Sequence, residues 1–437
     1  MAKKIKYILV ISLLVILGGI YIRNYFGNRY NITLPKKGMN FNMKYKGLVG
    51  SRDFVADING NYYIAYKSKI QFIGLNGKSY TLLEDPSLNI NSIELFENKL
   101  YFASNCSVFI HDLKDSSLVE LIKDLPNFGD YRDSIIRLNG ENLYISIGAA
   151  TNSGVVGPDN EWLKTNTYNH DITPFNIILS NLKFGNYNTG AFVPYNTKNI
   201  ENQVIPGHFP GNASIIKLNI KTLKSESFAW GIRNVKGMDF DSTGKLFATV
   251  GGMENRGLRP IQHDYDYLFE IKKDKWYGWP DYSGGDPINS PRFNKVSNSF
   301  VIEKQPTVNP PAPIYQNKYL NTLKALAIDK KSDLGELDSI FFYDEKLNSI
   351  SALTKEGNLK EKIVLNNKSD VKSIRFYESS LMILDSKSGY ILQVSRLNTQ
   401  GRDKLNKGFL YGLILVLFAG IFFIIKALWD SRIIKNK

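Results

Sequence analysis

Between residues 45 and 396 the chain repeats one short pattern: an apolar run, a turn of Asn, Asp, Glu, Gly or Ser, and a second apolar run. The copies are 54–66 (FVADINGNYYIAY), 93–104 (IELFENKLYFAS), 135–148 (IIRLNGENLYISIG), 237–251 (GMDFDSTGKLFATVG), 325–344 (ALAIDKKSDLGELDSIFFYD) and 373–386 (SIRFYESSLMILDS). Runs of this length bounded by turn residues read as hairpins. Most copies are followed by further apolar runs, as at 70–75 and 79–83 around Asn76-Gly77, and Asn-Gly is a strong short hairpin signal. Four short strands per unit, repeated, predict a β-propeller. A small sheet cannot cover both of its faces alone. Radial stacking buries them and leaves only short edges. Six copies predict six blades.

The starts at 54, 93 and 135 are about one blade apart, given ~40–45 residues per blade. Those at 135, 237 and 325 are much further apart. The excess is expected to be long loops rather than further blades, because 149–210 is rich in Asn, Gly, Pro and Thr. Long loops in a compact domain usually carry function, and here they should gather on one face over the central channel. Composition agrees with an all-β core: aromatics make up 13% of the chain, with 25 Tyr and 25 Phe, and such residues favour strands. A single Cys excludes a disulfide framework and any multi-cysteine metal centre, and four His leave little room for a His-built one.

Two uncharged apolar stretches frame this region. Residues 7–22 read YILVISLLVILGGIYI, after Lys3, Lys4 and Lys6 and before Arg23. Residues 408–425 read GFLYGLILVLFAGIFFII, closed by Lys426, Trp429 and Arg432. The first is slightly short for a hydrocarbon core, and a cleaved leader is its rival reading, but no A-x-A-like site follows Gly19. The expected organisation is an N-terminal anchor (1–24), an extracytoplasmic propeller (45–396) and a C-terminal transmembrane helix (408–429). Basic residues at both outer ends put both termini in the cytoplasm. Membrane-flanking Lys and Arg also account for much of the +14 net charge, so membrane lipid, not nucleic acid, is the expected partner.

Residues 231–285 carry a more specific pattern, GIRNVKGMDFDSTGKLFATVGGMENRGLRPIQHDYDYLFEIKKDKWYGWPDYSGG. Gly231, Arg233, Asn234 and Gly237 form a G-x-R-N-x-x-G run. Asp241, Gly244 and Leu246 form a strand–turn–strand, and Tyr277 to Pro280 read Y-G-W-P. With LNGENLYISIG at 138–148 and NASIIKL at 212–218, this resembles the glucose/sorbosone dehydrogenase family, six-bladed quinoprotein propellers. The resemblance implies a sugar (aldose or sorbosone) dehydrogenase that uses pyrroloquinoline quinone (PQQ) with Ca²⁺ and passes electrons to a membrane acceptor. It assigns the quinone to Arg233 and Asn234. A guanidinium and an amide suit a tricarboxylate with quinone oxygens. It assigns calcium to the loop before Y-G-W-P, where the family's acid positions are held by Tyr265, Asp266 and Tyr267; Asp266 is the one acid kept, and the nearby Asp264 and Glu254 are candidates to substitute for the others.

One departure concerns the base. The family places a His just before the hairpin at 138–148, and here that region reads Asp130-Tyr131-Arg132-Asp133-Ser134. Asp130, Asp133 and the loop residue His208 are the candidates to replace it, although an exposed carboxylate is a weak base at neutral pH. The alternative reading is a propeller without catalysis that binds a glycan, a wall polymer or a protein partner through the same funnel. His170, His263 and His111 read as ordinary polar groups, Cys106 as a small apolar residue, and Trp276 and Trp279 equally as stacking platforms or corner packing.

Overall fold

The computed structural model describes residues 17–19, 30, 32–35, 38–164, 169–186, 188–293, 299–365 and 369–397, with scattered positions between 412 and 429. It separates residues 33–396 from a unit made of the two chain ends. Most of 7–22 and 408–425 lies outside the described residues. Those described there, Leu17–Gly19 and positions from Gly412 to Trp429, are helical. No helix among the described residues is long and apolar enough to cross a membrane.

Among the described residues, two small two-stranded sheets lie in the long loops, and 33–396 form six antiparallel blades, the third extended by the parallel strand Lys275–Trp276. Their innermost strands are Asp53–Ala56, Ile90–Phe96, Ile136–Asn139, Val235–Phe240, Leu323–Asp329 and Val371–Tyr377. Each touches the next, and the last touches the first, so they close a ring around an axis. Every expected hairpin is the first two strands of one blade, as with Ile90–Phe96 paired to Lys99–Ser104. The six-bladed ring is therefore the one expected from the sequence.

The ring closes with a strand that the sequence pattern missed. Met39–Lys46 pairs with Tyr390–Arg396 and becomes the outer strand of the sixth blade, so the domain begins before the expected 45. Its own pattern, MNFNMKYK, alternates, but only its outer-edge placement makes it a strand.

Local turns follow from side-chain chemistry. At the first hairpin, Asp57 Oδ1 accepts from the Asn59 and Asn61 N–H groups, both at 2.9 Å. Gly60 then takes φ +80°, a left-handed conformation that costs glycine little. Neighbouring blades share apolar layers. Leu100, Phe102 and Ile70 lie between the first and second blades, and Ile145, Leu143 and Val108 between the second and third. Phe341 meets Phe376 edge-on across the fifth and sixth, centroids 5.2 Å apart.

The long intervals are loops, not blades. In the third blade the chain leaves after Asn142–Ile147 and returns at Ser214–Asn219. In the fourth it leaves after Tyr267–Ile271 and returns at Tyr315–Gln316. The two excursions pack on each other in a shared core of Leu179, Phe192, Trp279, Tyr282 and Ile302.

Candidate functional site: the axial funnel

The channel is blocked part-way by charge. Asp53 on the first blade and Glu94 on the second face Arg137 on the third and Arg375 on the sixth. Arg375 reaches Asp53 at 3.1 Å and Glu94 at 2.7 Å; Arg137 reaches Glu94 at 3.2 Å and Asp53 at 3.7 Å. Asp53 also accepts from Ser92 Oγ and the Ile93 N–H, each at 3.0 Å. Burial alone would raise its carboxyl, but Arg375 and Arg137 hold it below the ordinary range. The channel is thus two separate hollows.

The hollow at the N-terminal ends of the inner strands has a volume of about 580 Å³. Every blade contributes to it: Arg52, Asn91, Asp133, Lys236, Lys324 and Lys372, in ring order. Some of these charges are already paired. Lys324 lies 3.5 Å from Glu345, and Lys372 lies 3.0 Å from Asp370. Arg52 is braced by the neutral oxygens of Asn89, Ile90 and Asn91 at 2.8–3.1 Å, and among the described residues no carboxylate pairs with it. Asn89, Asp130 and Arg132 also line a second hollow of about 690 Å³ over the second and third blades, with Phe128, Trp162 and Arg256. The two adjoin at Asn89, Asp130 and Arg132. Cys106 lines this side pocket, half-buried, with its thiol on the Asn127 carbonyl at 3.6 Å.

Arg233 and Asn234 lie next to these hollows but are buried. The Arg233 donors are all engaged by the protein. Nε donates to the Asn152 carbonyl at 3.0 Å, and Nη1 to the Gly251 carbonyl at 3.3 Å and to the Gly252 carbonyl. Nη2 donates to Asn152 Oδ1 at 2.9 Å, to Glu254 at 3.0 Å and to the Tyr131 hydroxyl. The guanidinium also stacks on the Tyr131 ring, 3.9 Å from its centre. Burial works against the Glu254 carboxylate, but Arg233 and then Arg256 carry it down to about 2. Tyr131 is pushed above the ordinary phenol range, chiefly by burial, so it stays protonated and donates to Glu254 at 2.9 Å. A Cβ at Gly148 would lie 1.9 Å from the Tyr131 carbonyl; only glycine lets the Tyr131 segment seat here.

The remaining candidates have structural partners as well. Asp264 is buried and accepts from the Met253 N–H at 2.6 Å, Ser283 Oγ at 2.7 Å and the Tyr267 hydroxyl. Asp266 accepts from the N–H groups of Asn321, Thr322 and Leu323 at 2.6–2.9 Å and so ties the fourth blade to the fifth. Burial raises both carboxyls. Asp130 is clamped by Arg256 and Trp162, each at 2.7 Å, and by Asn160 at 2.9 Å. Asp133 is exposed on the funnel rim. His208 is exposed, 3.0 Å from the Pro210 carbonyl, and lines neither hollow. Trp276 and Trp279 pack the corner: the Trp279 Nε1 donates to the Asn152 carbonyl at 3.1 Å.

These residues do not fit the quinone–calcium pair at the positions that the resemblance assigns. Arg233 has no spare donor. The Gly251 and Gly252 carbonyls, oxygens that a cation would want, already face its guanidinium. The acids are saturated by donors, and among the described residues no group of three or more His, Cys, Asp or Glu could hold a metal ion. Arg233→Ala should therefore act on stability. It leaves the Asn152, Gly251 and Gly252 carbonyls and Asn152 Oδ1 without their donor and takes one of Glu254's two cations, at a cost of about 3 kcal/mol. A thermal melt should show that loss with or without added Ca²⁺ and quinone.

The chain matches no family model and no curated protein. Solved structures do match. The PQQ domain of pyranose dehydrogenase from Coprinopsis cinerea is 11% identical, with TM-score 0.56 over 84% of this chain and 98% of that one. A Carbohydrate-Active Enzymes Family AA12 member from Trichoderma reesei, in a calcium structure, is 12% identical with TM-score 0.58, over 84% and 98%. The PQQ-bound aldose sugar dehydrogenase of Streptomyces coelicolor is 14% identical with TM-score 0.50, over 83% and 99%. The fold is shared with these sugar dehydrogenase propellers. At such identities the likeness concerns the fold, and the local chemistry has to be read from this chain.

Asn152, Tyr131 and Lys236 were missed as site residues, and Glu254, read as a possible calcium ligand, instead pairs with Arg233. Asn152 sits in an irregular loop with no periodic signal. Lys236 was visible inside the R-N-x-x-G run, but only the ring of inner strands puts it on the axis.

Proposed function

We propose that this chain is a saccharide-binding propeller of the sugar dehydrogenase fold, and that its ligand is a glycan or wall polymer carrying negative charge. The observation that carries this reading is the funnel: six blades deliver ammonium, guanidinium, carboxylate and amide groups to one blind hollow. A polyhydroxyl ligand needs donors and acceptors at close spacing, and an anionic one needs cations with no carboxylate partner among the described residues, such as Arg52 and Lys236. The side pocket adds the aromatic pair Phe128 and Trp162, centroids 5.5 Å apart, for the neutral part of the chain. Calorimetry on the purified full-length protein should find uronate-containing oligosaccharides binding at least about 10-fold more tightly than neutral ones, one charge-assisted contact being worth ~1.5–3 kcal/mol. The preference should shrink with added salt. Equal affinity for both, or none for either, would sink the reading.

A second reading keeps the redox cofactor. PQQ is itself a tricarboxylate, and the same cations favour it in the funnel without the calcium positions. Quinone binding that is competed by uronates, with dye reduction on an aldose, would favour this reading over the first.

The domain is proposed to lie outside the membrane, tethered at both ends. Support comes from the uncharged stretches at 7–22 and 408–425 with their flanking Lys and Arg. Protease added to intact cells should cut the propeller loops; full protection would reverse the placement.

A further inference from the structure

Lys236 is set apart from the other lysines of the funnel. It sits second on the inner strand Val235–Phe240, half-buried, with its side chain in the axial hollow. Lys324 and Lys372, on the inner strands of the fifth and sixth blades, each have a carboxylate partner. Among the described residues, the Lys236 ammonium has neither an ion pair nor a hydrogen bond. The groups facing it are mostly cationic or distant. Lys324 on the fifth blade and Arg233 below oppose its charge, while Asp133 on the rim and Asp266 behind favour it. Arg52 and Lys372 complete the wall across the axis. Burial, with Lys324 adding to it, pushes the ammonium down to about 8, so a sizeable fraction is free amine near neutral pH. A desolvated lysine beside a second cation is the usual setting of an amine that attacks carbonyl carbon.

We propose that Lys236 is a carbonyl-capturing amine, which forms a reversible imine with an anionic aldehyde or 2-oxo compound seated in the funnel. The chemistry needs no further reagent. The neutral amine nitrogen bonds to the carbonyl carbon, and the carbonyl oxygen takes a proton. The carbinolamine then loses that oxygen as water while nitrogen gives up its protons, and C=N forms. Asp133 on the same rim is placed to accept and return a proton. The anionic preference rests on the binding reading above; the amine's reactivity does not.

The test is reductive trapping on the full-length protein, with glyoxylate or neutral butyraldehyde and cyanoborohydride, followed by peptide mapping. Lys236 should be modified at least about 10-fold faster than Lys324 or Lys372, since its amine is freed by burial while each of theirs is held by a carboxylate. The rate should rise as pH passes through about 8. Glyoxylate should outpace butyraldehyde at Lys236 only. Lys236→Arg should lose this fast label. Labelling of Lys236 no faster than that of exposed lysines overturns the inference. Equal labelling by both aldehydes upholds the amine and overturns the anionic funnel instead.

Discussion

Asp53→Ala should lower the melting temperature of the propeller by roughly 10 °C. Asp53 joins three blades across the axis through Arg375, Arg137, Ser92 Oγ and the Ile93 N–H. Removing it leaves two guanidiniums facing Glu94 alone in a buried channel. Stranding a buried charge costs about 3–5 kcal/mol, and each kcal/mol moves the midpoint of a large domain by a few degrees. The same carboxylate makes stability depend on acid. Its folded pKa is depressed, so its contribution is complete above the ordinary carboxylate range and is lost as pH falls through the lower folded value. The wild-type melt should therefore decline steeply in acid, and the Asp53→Ala melt less so. An unchanged melting temperature in the variant would mean that the plug does not hold the ring together.

Lys236→Met should weaken binding of a uronate oligosaccharide by about 10- to 100-fold, the worth of one charge-assisted contact. It should also flatten the pH profile. The Lys236 charge is present below about 8 and lost above it. Wild-type affinity should fall as pH rises through that value, and the Met variant should show little change. Titration calorimetry at pH 6.5, 8 and 9.5 checks both statements. A Met variant with wild-type affinity would remove Lys236 from the ligand's path.

The fold was open to sequence reading where local chemistry repeats. Each inner hairpin carries its own apolar alternation and turn, such as Asp57 to Asn61 with Gly60 at positive φ, so each can be found without its neighbours. The closing strand Met39–Lys46 could not be found in this way, because its partner Tyr390–Arg396 lies at the far end of the domain.

The site behaved differently. Arg233 and Asn234 were visible as a motif, and the motif does mark the strand that opens on the axis. What the guanidinium touches is decided by Tyr131, Asn152 and Glu254, on segments about 20 to 100 residues away in sequence. Asp264 and Asp266 likewise read as calcium ligands in a solvated loop. In the folded chain they accept hydrogen bonds that hold blades and loops in place.

By itself the sequence determined six hairpins, their order, the two long excursions and the uncharged stretches at either end, since each follows from residues near one another in the chain. Only the tertiary structure decided that the channel is plugged by four charges, that Arg233 is held by the protein's own carbonyls, and that Lys236 stands in the funnel with no partner among the described residues. Those outcomes depend on which charges from different blades meet after burial, and desolvation rewards or penalises a charge only once its neighbours are in place.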